Sequence, residues 1–178
     1  GKFNGGTDLN LRDSKFNLSL NAMLNGRKSE GTGTTTREMI GTSVPTKSTS
    51  TNNSTNDGSF NFFRAGLDYL PDNRNTFSLY SNIVRGEFNN AGTQLIDSTI
   101  GNYTSHNKLD NNAHFEFLNK GGQLSYKHLF AEPGHEISAD VNYNEADNKN
   151  HTDILSKLYN QTSIGRGNTS NYTTSIDY

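Results

Sequence analysis

The chain has 178 residues with a formal net charge of -2; 30% of its residues are hydrophobic and 10% are aromatic. A mean hydropathy of -0.82 is too polar for an ordinary packed core, whereas the many aromatic residues and the small net charge argue against disorder. The lack of cysteine excludes disulfide frameworks and thiolate chemistry, and the even balance of 16 basic and 18 acidic residues gives no nucleic-acid footprint.

Alternation of apolar and polar residues with a period of two recurs along the chain and predicts an all-β protein. The alternation is clearest where Phe16, Leu18 and Leu20 share one face opposite polar neighbours. The predicted strands lie near residues 7–11, 15–38, 59–70, 76–90, 104–130, 135–146 and 164–178. Since no apolar run approaches the roughly 20 residues of a transmembrane helix, any membrane crossing is expected to use strands.

The connections between these strands alternate in length. Short turns are predicted at residues 12–15, 71–75 and 131–134, which are rich in residues that favour turns. Long polar loops are predicted at residues 41–58, 86–112 and 144–170. Short periplasmic turns and long extracellular loops are typical of transmembrane β-barrels, so the sequence predicts an antiparallel barrel segment of this kind.

Aromatic residues cluster beside the short turns, as they do at the headgroup level of a bilayer. The clustered residues are Phe16, Tyr69, Phe77, Phe130 and Tyr178. The predicted lipid face comprises Phe16, Leu18, Leu20, Phe63, Leu67, Phe77, Leu79, Leu124, Phe130, Ile137, Val141 and Ile176. Aromatic residues also cap the sheets of soluble β-proteins, so that alternative stays open.

The predicted strand count of seven is odd, whereas bacterial single-chain barrels have an even number of strands and about eight in the smallest closed case. We therefore expect one arc of a larger barrel. Residues 1–178 are expected to form part of one outer-membrane β-barrel domain, without a plug domain.

Several phrases of the sequence carry a family resemblance. Residues 62–69 (FFRAGLDY) precede a Pro-Asp-Asn turn, and residues 130–137 (FAEPGHEI) form a second hairpin phrase. This pattern resembles the barrel region of TonB-dependent receptor-like outer-membrane proteins of Bacteroidetes-type bacteria. The resemblance implies an outer-membrane location and uptake of a bulky nutrient. It further implies a plug, a periplasmic energy-coupling protein and a surface lipoprotein as partners, besides the lipid bilayer and the rest of the barrel.

Three aspartates fall on the polar side of the alternation, namely Asp68, Asp140 and Asp177. In a barrel they would face the lumen, where they would either pair with Arg64 or with a plug, or remain solvated without a partner. Their positions alone do not distinguish these alternatives.

No catalytic, cofactor-binding or metal-binding residues are predicted. Ser125 and His128 fall on opposite faces of one predicted strand, so they cannot form a nucleophile–base pair directly. The histidines lack metal-ligand spacing. Asp97-Ser98-Thr99 resembles the short O-glycosylation signal of Bacteroidetes-type bacteria, which makes Ser98 a candidate modification site in a predicted outer loop.

The leading functional interpretation is a transporter or receptor barrel whose polar face forms a wet lumenal wall. One alternative is a soluble extracellular β-sandwich or adhesin-like binding module that buries the same apolar faces in a shared core. Another is a structural barrel in a surface secretion or motility complex.

Overall fold

The segments with period-two alternation all lie in β-strands of the computed structural model, which describes residues 1–41 and 43–178 and contains seven strands there. The strands are β1 (Lys2–Asp13), β2 (Phe16–Met39), β3 (Thr46–Tyr69), β4 (Asn75–Ile100), β5 (Tyr103–Leu129), β6 (Glu136–Ser156) and β7 (Asn160–Asp177). Each strand pairs antiparallel with the next, so that one open sheet follows the order of the chain. The predicted all-β fold and the predicted strand number are confirmed. Within the described ranges, no helix is long and apolar enough to span a membrane.

The stretches predicted as long polar loops are largely strand, and this part of the prediction is wrong. Instead, β4 continues to Ile100 and β5 begins at Tyr103, which leaves a connection of two residues. Threonine favours strands, and threonines face each other across the outer part of the β2–β3 hairpin, as in the pair Thr34 and Thr51 with their hydroxyls 3.4 Å apart. Because such strands are polar on both faces, they carry no alternation that sequence analysis could detect.

Both ends of the sheet have short connections. At the end predicted to have short turns, residues 14–15, 70–74 and 130–135 join the strands. At the opposite end the two-residue connection needs a backbone conformation that glycine adopts readily, and Gly101 has φ of 59° there. The molecule is therefore a set of long hairpins rather than short hairpins with long loops.

The apolar face of the sheet is its more exposed face. Along β4, Phe77, Leu79 and Ile83 are exposed, whereas the alternating Ser78 and Tyr80 are partly covered. Among the described residues, no hydrophobic side chain is buried in a core. The strand register places eleven of the twelve predicted lipid-facing residues on this one face. The twelfth, Phe130, follows the end of β5, and its ring contacts that of His128 on the same face. The exposure pattern is that of a curved sheet whose apolar side is convex, because side chains on a concave side cover one another.

Candidate functional site

The polar face carries a hydrogen-bond cluster around Asp68 on β3. Ser78 Oγ and Tyr80 Oη on β4 donate to one carboxylate oxygen of Asp68 at 2.7 and 2.8 Å. Asn17 Nδ2 on β2 donates to the other oxygen at 3.2 Å. Arg64 does not pair with Asp68, because its guanidinium lies over the Tyr80 ring, 5.4 Å from the centroid. The polar-face position predicted for Asp68 is confirmed, but its partners are neutral donors.

A second cluster surrounds Asp140 on β6, also on the polar face. Ser125 Oγ donates to Asp140 in a short hydrogen bond, and Gln123 Nε2 donates to the same oxygen at 3.3 Å. Asp177 on β7 lies opposite Ser138, one row closer to the short turns. The Asp68 and Asp140 clusters thus match hydrogen-bond donors and acceptors from neighbouring strands on the polar face.

Farther from the short turns, the same face carries an aromatic patch that the sequence analysis missed. We define it by its four phenylalanines, which are Phe60, Phe88, Phe115 and Phe117. Their ring centroids lie 6.0 to 6.4 Å from their neighbours, within the usual range of aromatic contacts. Since these residues share the face of Asp68 and Asp140, the patch interrupts an otherwise polar surface.

Two glycines let the aromatic rings approach the backbone. Gly58 is paired with Phe88, and a Cβ atom at Gly58 would lie 2.5 Å from a ring carbon of that residue. Gly86 is paired with Phe117, whose ring would collide with a Cβ atom at Gly86. Each ring therefore lies over a glycine of the neighbouring strand, an arrangement that stabilises glycine within a sheet.

A groove of about 680 Å³ runs along the patch. Arg27, Gly58, Phe88, Phe115 and Asn150 follow one another across five strands in a single row of this face. The groove thus has a cation at one side, aromatic rings in the middle and an amide at the other side. This arrangement could hold a ligand that combines a ring with hydrogen-bonding or negatively charged groups.

The histidines are placed as structural side chains. The Nδ1 atom of His128 lies 2.8 Å from Asn75 Oδ1, and His128 faces away from Ser125, as predicted. The register sets His114 and His151 opposite each other, a proximity that linear spacing could not reveal. In the described part of the chain, no group of three or more His, Asp or Glu side chains is arranged to hold a metal ion.

Ser98 lies near the outer end of β4 rather than in a loop. It is paired with Ser48 and Ser105, and the Ser105 hydroxyl donates to the Ser98 carbonyl oxygen at 3.4 Å. Its modification remains a prediction.

No family model and no curated protein matches the chain. Among solved structures, it is similar to the ferric yersiniabactin uptake receptor of Yersinia pestis, with 10% identity and a TM-score of 0.41 over 98% of this chain. The match to the ferric-catecholate import receptor Fiu of E. coli has 7% identity and a TM-score of 0.22, and it covers 98% of this chain and 45% of Fiu. The match to OpdL of Pseudomonas aeruginosa has 11% identity and a TM-score of 0.15, and it covers 99% of this chain and 88% of OpdL. The chain spans about a third, 34%, of the yersiniabactin receptor.

Proposed function

We propose that this chain forms part of the wall of an outer-membrane β-barrel that takes up a bulky nutrient in the manner of a TonB-dependent receptor. The observation that supports the proposal is the orientation of the sheet, whose continuous apolar face is the more exposed one. A large apolar side chain gains about 1.5–3 kcal/mol when it is fully buried. Left half-exposed in water, the twelve predicted lipid-facing residues forfeit on the order of 10 kcal/mol, as much as the whole stability of a typical domain. Lipid removes that cost.

The dimensions of the apolar band suit a bilayer. From Phe16 to Leu24, eight residue steps of β2 extend about 26 Å along the strand, or about 20 Å in height at a tilt near 40°. The apolar band of known barrels is about 25 Å tall and is flanked by aromatic girdles. Here one girdle is the row of ring contacts that joins Phe16, Tyr69 and Phe77, beside the short turns.

The two outer strands support the proposal of a larger barrel. β1 pairs only with β2, and β7 pairs only with β6, so each leaves one side without a partner strand. In lipid, each unsatisfied backbone group costs several kcal/mol. We assign residues 1–178 to one barrel domain that further strands close. The plug, the periplasmic energy-coupling protein and the surface lipoprotein belong to the proposal through the family resemblance, and no catalytic step is assigned to this chain.

A pair of spin labels tests the orientation. Residues 1–178 contain no cysteine, so Leu79→Cys on the apolar face and Asn82→Cys on the polar face each add one labelling site to this segment. The labels are measured in the full-length protein in lipid vesicles, after replacement of any cysteine outside the segment by serine. The label at position 79 is expected to collide with oxygen but not with a water-soluble nickel chelate, and the label at position 82 is expected to do the reverse. Equal access of the chelate to both labels would contradict the proposal.

Fractionation and uptake measurements separate the alternatives. A protein that stays soluble without detergent supports the β-sandwich or adhesin-like module. A membrane-embedded protein whose deletion leaves nutrient uptake intact but abolishes surface secretion or motility supports the structural barrel. Loss of uptake of one nutrient class supports the transporter.

We also propose that Ser98 carries an O-linked glycan, based on the Asp97-Ser98-Thr99 signal near the outer hairpin end. Mass spectrometry of the protein from its native host is expected to place the glycan at this residue. Ser98→Ala should abolish the modification and Ser105→Ala should retain it, whereas an unmodified native protein would refute the assignment.

A further inference from the structure

The aromatic patch needs an explanation because it lies on the wrong face for lipid. A lumenal wall is normally polar, yet Phe88 and Phe115 are exposed there to 43% and 40%. The opposite face already provides the apolar surface for a bilayer, so the patch adds nothing to membrane insertion. Exposed aromatic surface that is rimmed by polar residues marks a place where another molecule binds.

Among the described residues, the carboxylates of the polar face lie toward the short turns. They are Asp8, Asp68, Glu136, Asp140 and Asp177, and the cations Arg12, Arg64 and Lys127 lie in the same zone. In the row that crosses the aromatic patch, the charged residues of this face are Lys2 and Arg27, both cationic. Asp57 also borders the groove, but by strand alternation its side chain belongs to the opposite face.

Arg27 is the cation next to the rings. Only the Gly58 strand separates it from Phe88, which sets the two backbones about 10 Å apart at two strand spacings. The Phe88 ring extends over Gly58 and therefore toward Arg27. In the described part of the chain, no carboxylate forms an ion pair with Arg27.

The remaining rim consists of neutral hydrogen-bonding groups. Asn90 Nδ2 donates to Asn56 Oδ1 at 2.5 Å, and Asn25 and Asn150 lie at the two sides of the groove. These groups can solvate the edges of a bound molecule, and they add no negative charge. Among the described residues, the groove therefore combines flat aromatic surface, one unpaired arginine two strands from Phe88 and no carboxylate nearby on the same face.

We propose that this groove binds an anion that carries an aromatic or other flat apolar ring, with the ring on Phe88 and Phe115 and the negative group on Arg27. Guanidinium groups bind carboxylates and similar anions through paired, charge-assisted hydrogen bonds. Stacked or edge-on ring contacts give the second half of the recognition. The geometry of the groove alone supports the binding site, whereas a role of this site in uptake rests on the proposed function.

The test uses 2-naphthoate as the probe and neutral 2-naphthamide as its matched counterpart, measured by equilibrium dialysis against the full-length protein in a neutral detergent. Protein-free micelles correct for partition of the probes. Wild-type protein is expected to bind naphthoate at least about tenfold more tightly than naphthamide, the size of one charge-assisted contact. Equal affinity for both probes would overturn the proposal.

Four variants divide the site into its parts. Arg27→Gln is expected to remove the preference for naphthoate while naphthamide binding stays unchanged. Arg27→Lys is expected to retain only part of the preference, because an ammonium group keeps the charge but cannot form the paired hydrogen bonds. Phe88→Leu should weaken the binding of both probes. The matched control Phe63→Leu, on the apolar face, should leave the binding of both probes unchanged. Naphthoate binding that survives Arg27→Gln, or that falls equally in Phe63→Leu, refutes the site.

The outcome is separable from that of the proposed function. A water-soluble protein that still shows the Arg27-dependent preference refutes the membrane barrel but keeps the binding site. A membrane-embedded protein without the preference keeps the barrel and refutes the site.

Discussion

Phe16 on β2 and Tyr69 on β3 lie directly opposite each other, and their rings stack with centroids 4.8 Å apart. The contacts continue from Tyr69 to Phe77 at 6.4 Å and from Phe77 to Tyr126 at 4.7 Å. A row of rings thus crosses four strands beside the short turns. Tyr126 Oη donates to Asn75 Oδ1 at 2.8 Å, so the polar tip of the last ring reaches toward the turn.

A double-mutant cycle measures the contact between Phe16 and Tyr69. We expect the two alanine substitutions to couple by about 0.5–1.5 kcal/mol beyond the sum of their separate effects. The measurement is the free energy of unfolding in urea with the protein in lipid vesicles. Phe16→Ala combined with Tyr172→Ala on β7, five strands away, should be additive. Zero coupling between Phe16 and Tyr69 would contradict the row of ring contacts.

Arginine substitution distinguishes the two faces energetically. Leu20→Arg places a charge near the middle of the apolar band and should lower the free energy of unfolding by about 2–4 kcal/mol. Asn82→Arg is the matched control on the polar face and should cost much less, because water reaches the lumen. Similar losses for both variants would contradict the assignment of the faces.

The glycine beneath Phe117 should tolerate no side chain. Gly86→Ala forces the Phe117 ring away and is expected to destabilise the protein by about 1–3 kcal/mol, as overpacking does. Gly33→Ala is the control, since a Cβ atom there meets nothing within 4 Å. Combining Gly86→Ala with Phe117→Ala should recover part of the loss, and failure to do so would show that the ring is not the obstacle.

The short turn between β3 and β4 should be sensitive to acid. Hydrogen bonds from the Asn75 side chain and from the Arg74 backbone N–H stabilise the charged form of Asp72 and lower the pKa of its carboxyl below the usual value. Because the folded-state pKa is the lower one, this stabilisation is complete above the ordinary pKa near 4 and disappears as the pH falls through the folded-state value.

Asp72→Asn tests that pH dependence. The difference in unfolding free energy between wild type and Asp72→Asn is expected to be constant near neutral pH and to shrink below about pH 4. Asn73→Ser in the same turn changes no titrating group, so its effect should not vary with pH. A difference for Asp72→Asn that is flat from pH 7 to pH 3 would contradict the role of the carboxylate.

The alternation of apolar and polar residues predicted the strands that carry it and the single face they share, since a period of two fixes the face of each residue. The aromatic patch was not predicted, because Phe60 and Phe62 occupy positions of the polar face while the adjacent Phe63 belongs to the apolar face. That run of rings hides the alternation.

The ends of the strands were predicted less well. The outer part of β3 is mostly Thr, Ser and Asn on both faces, and in the outer part of β4 the apolar Leu95 and Ile96 are adjacent and do not alternate, so no period of two marks either segment as strand. Which residues pair across neighbouring strands was not predicted either. Register of this kind is fixed by the turns and by hydrogen bonding, and one sequence read along its length does not contain it.

The length of the hairpins determines what the outside of the proposed barrel is like. From Ile83 at the edge of the apolar band to Ile100 at its outer end, β4 extends about 56 Å along its axis, or about 40 Å in height at barrel tilt. Two hydrogen-bonded ladders hold it along this distance. A molecule that approaches from outside would therefore contact rigid hairpins well above the lipid. Binding to such hairpins costs less conformational entropy than binding to mobile loops, which become ordered on contact.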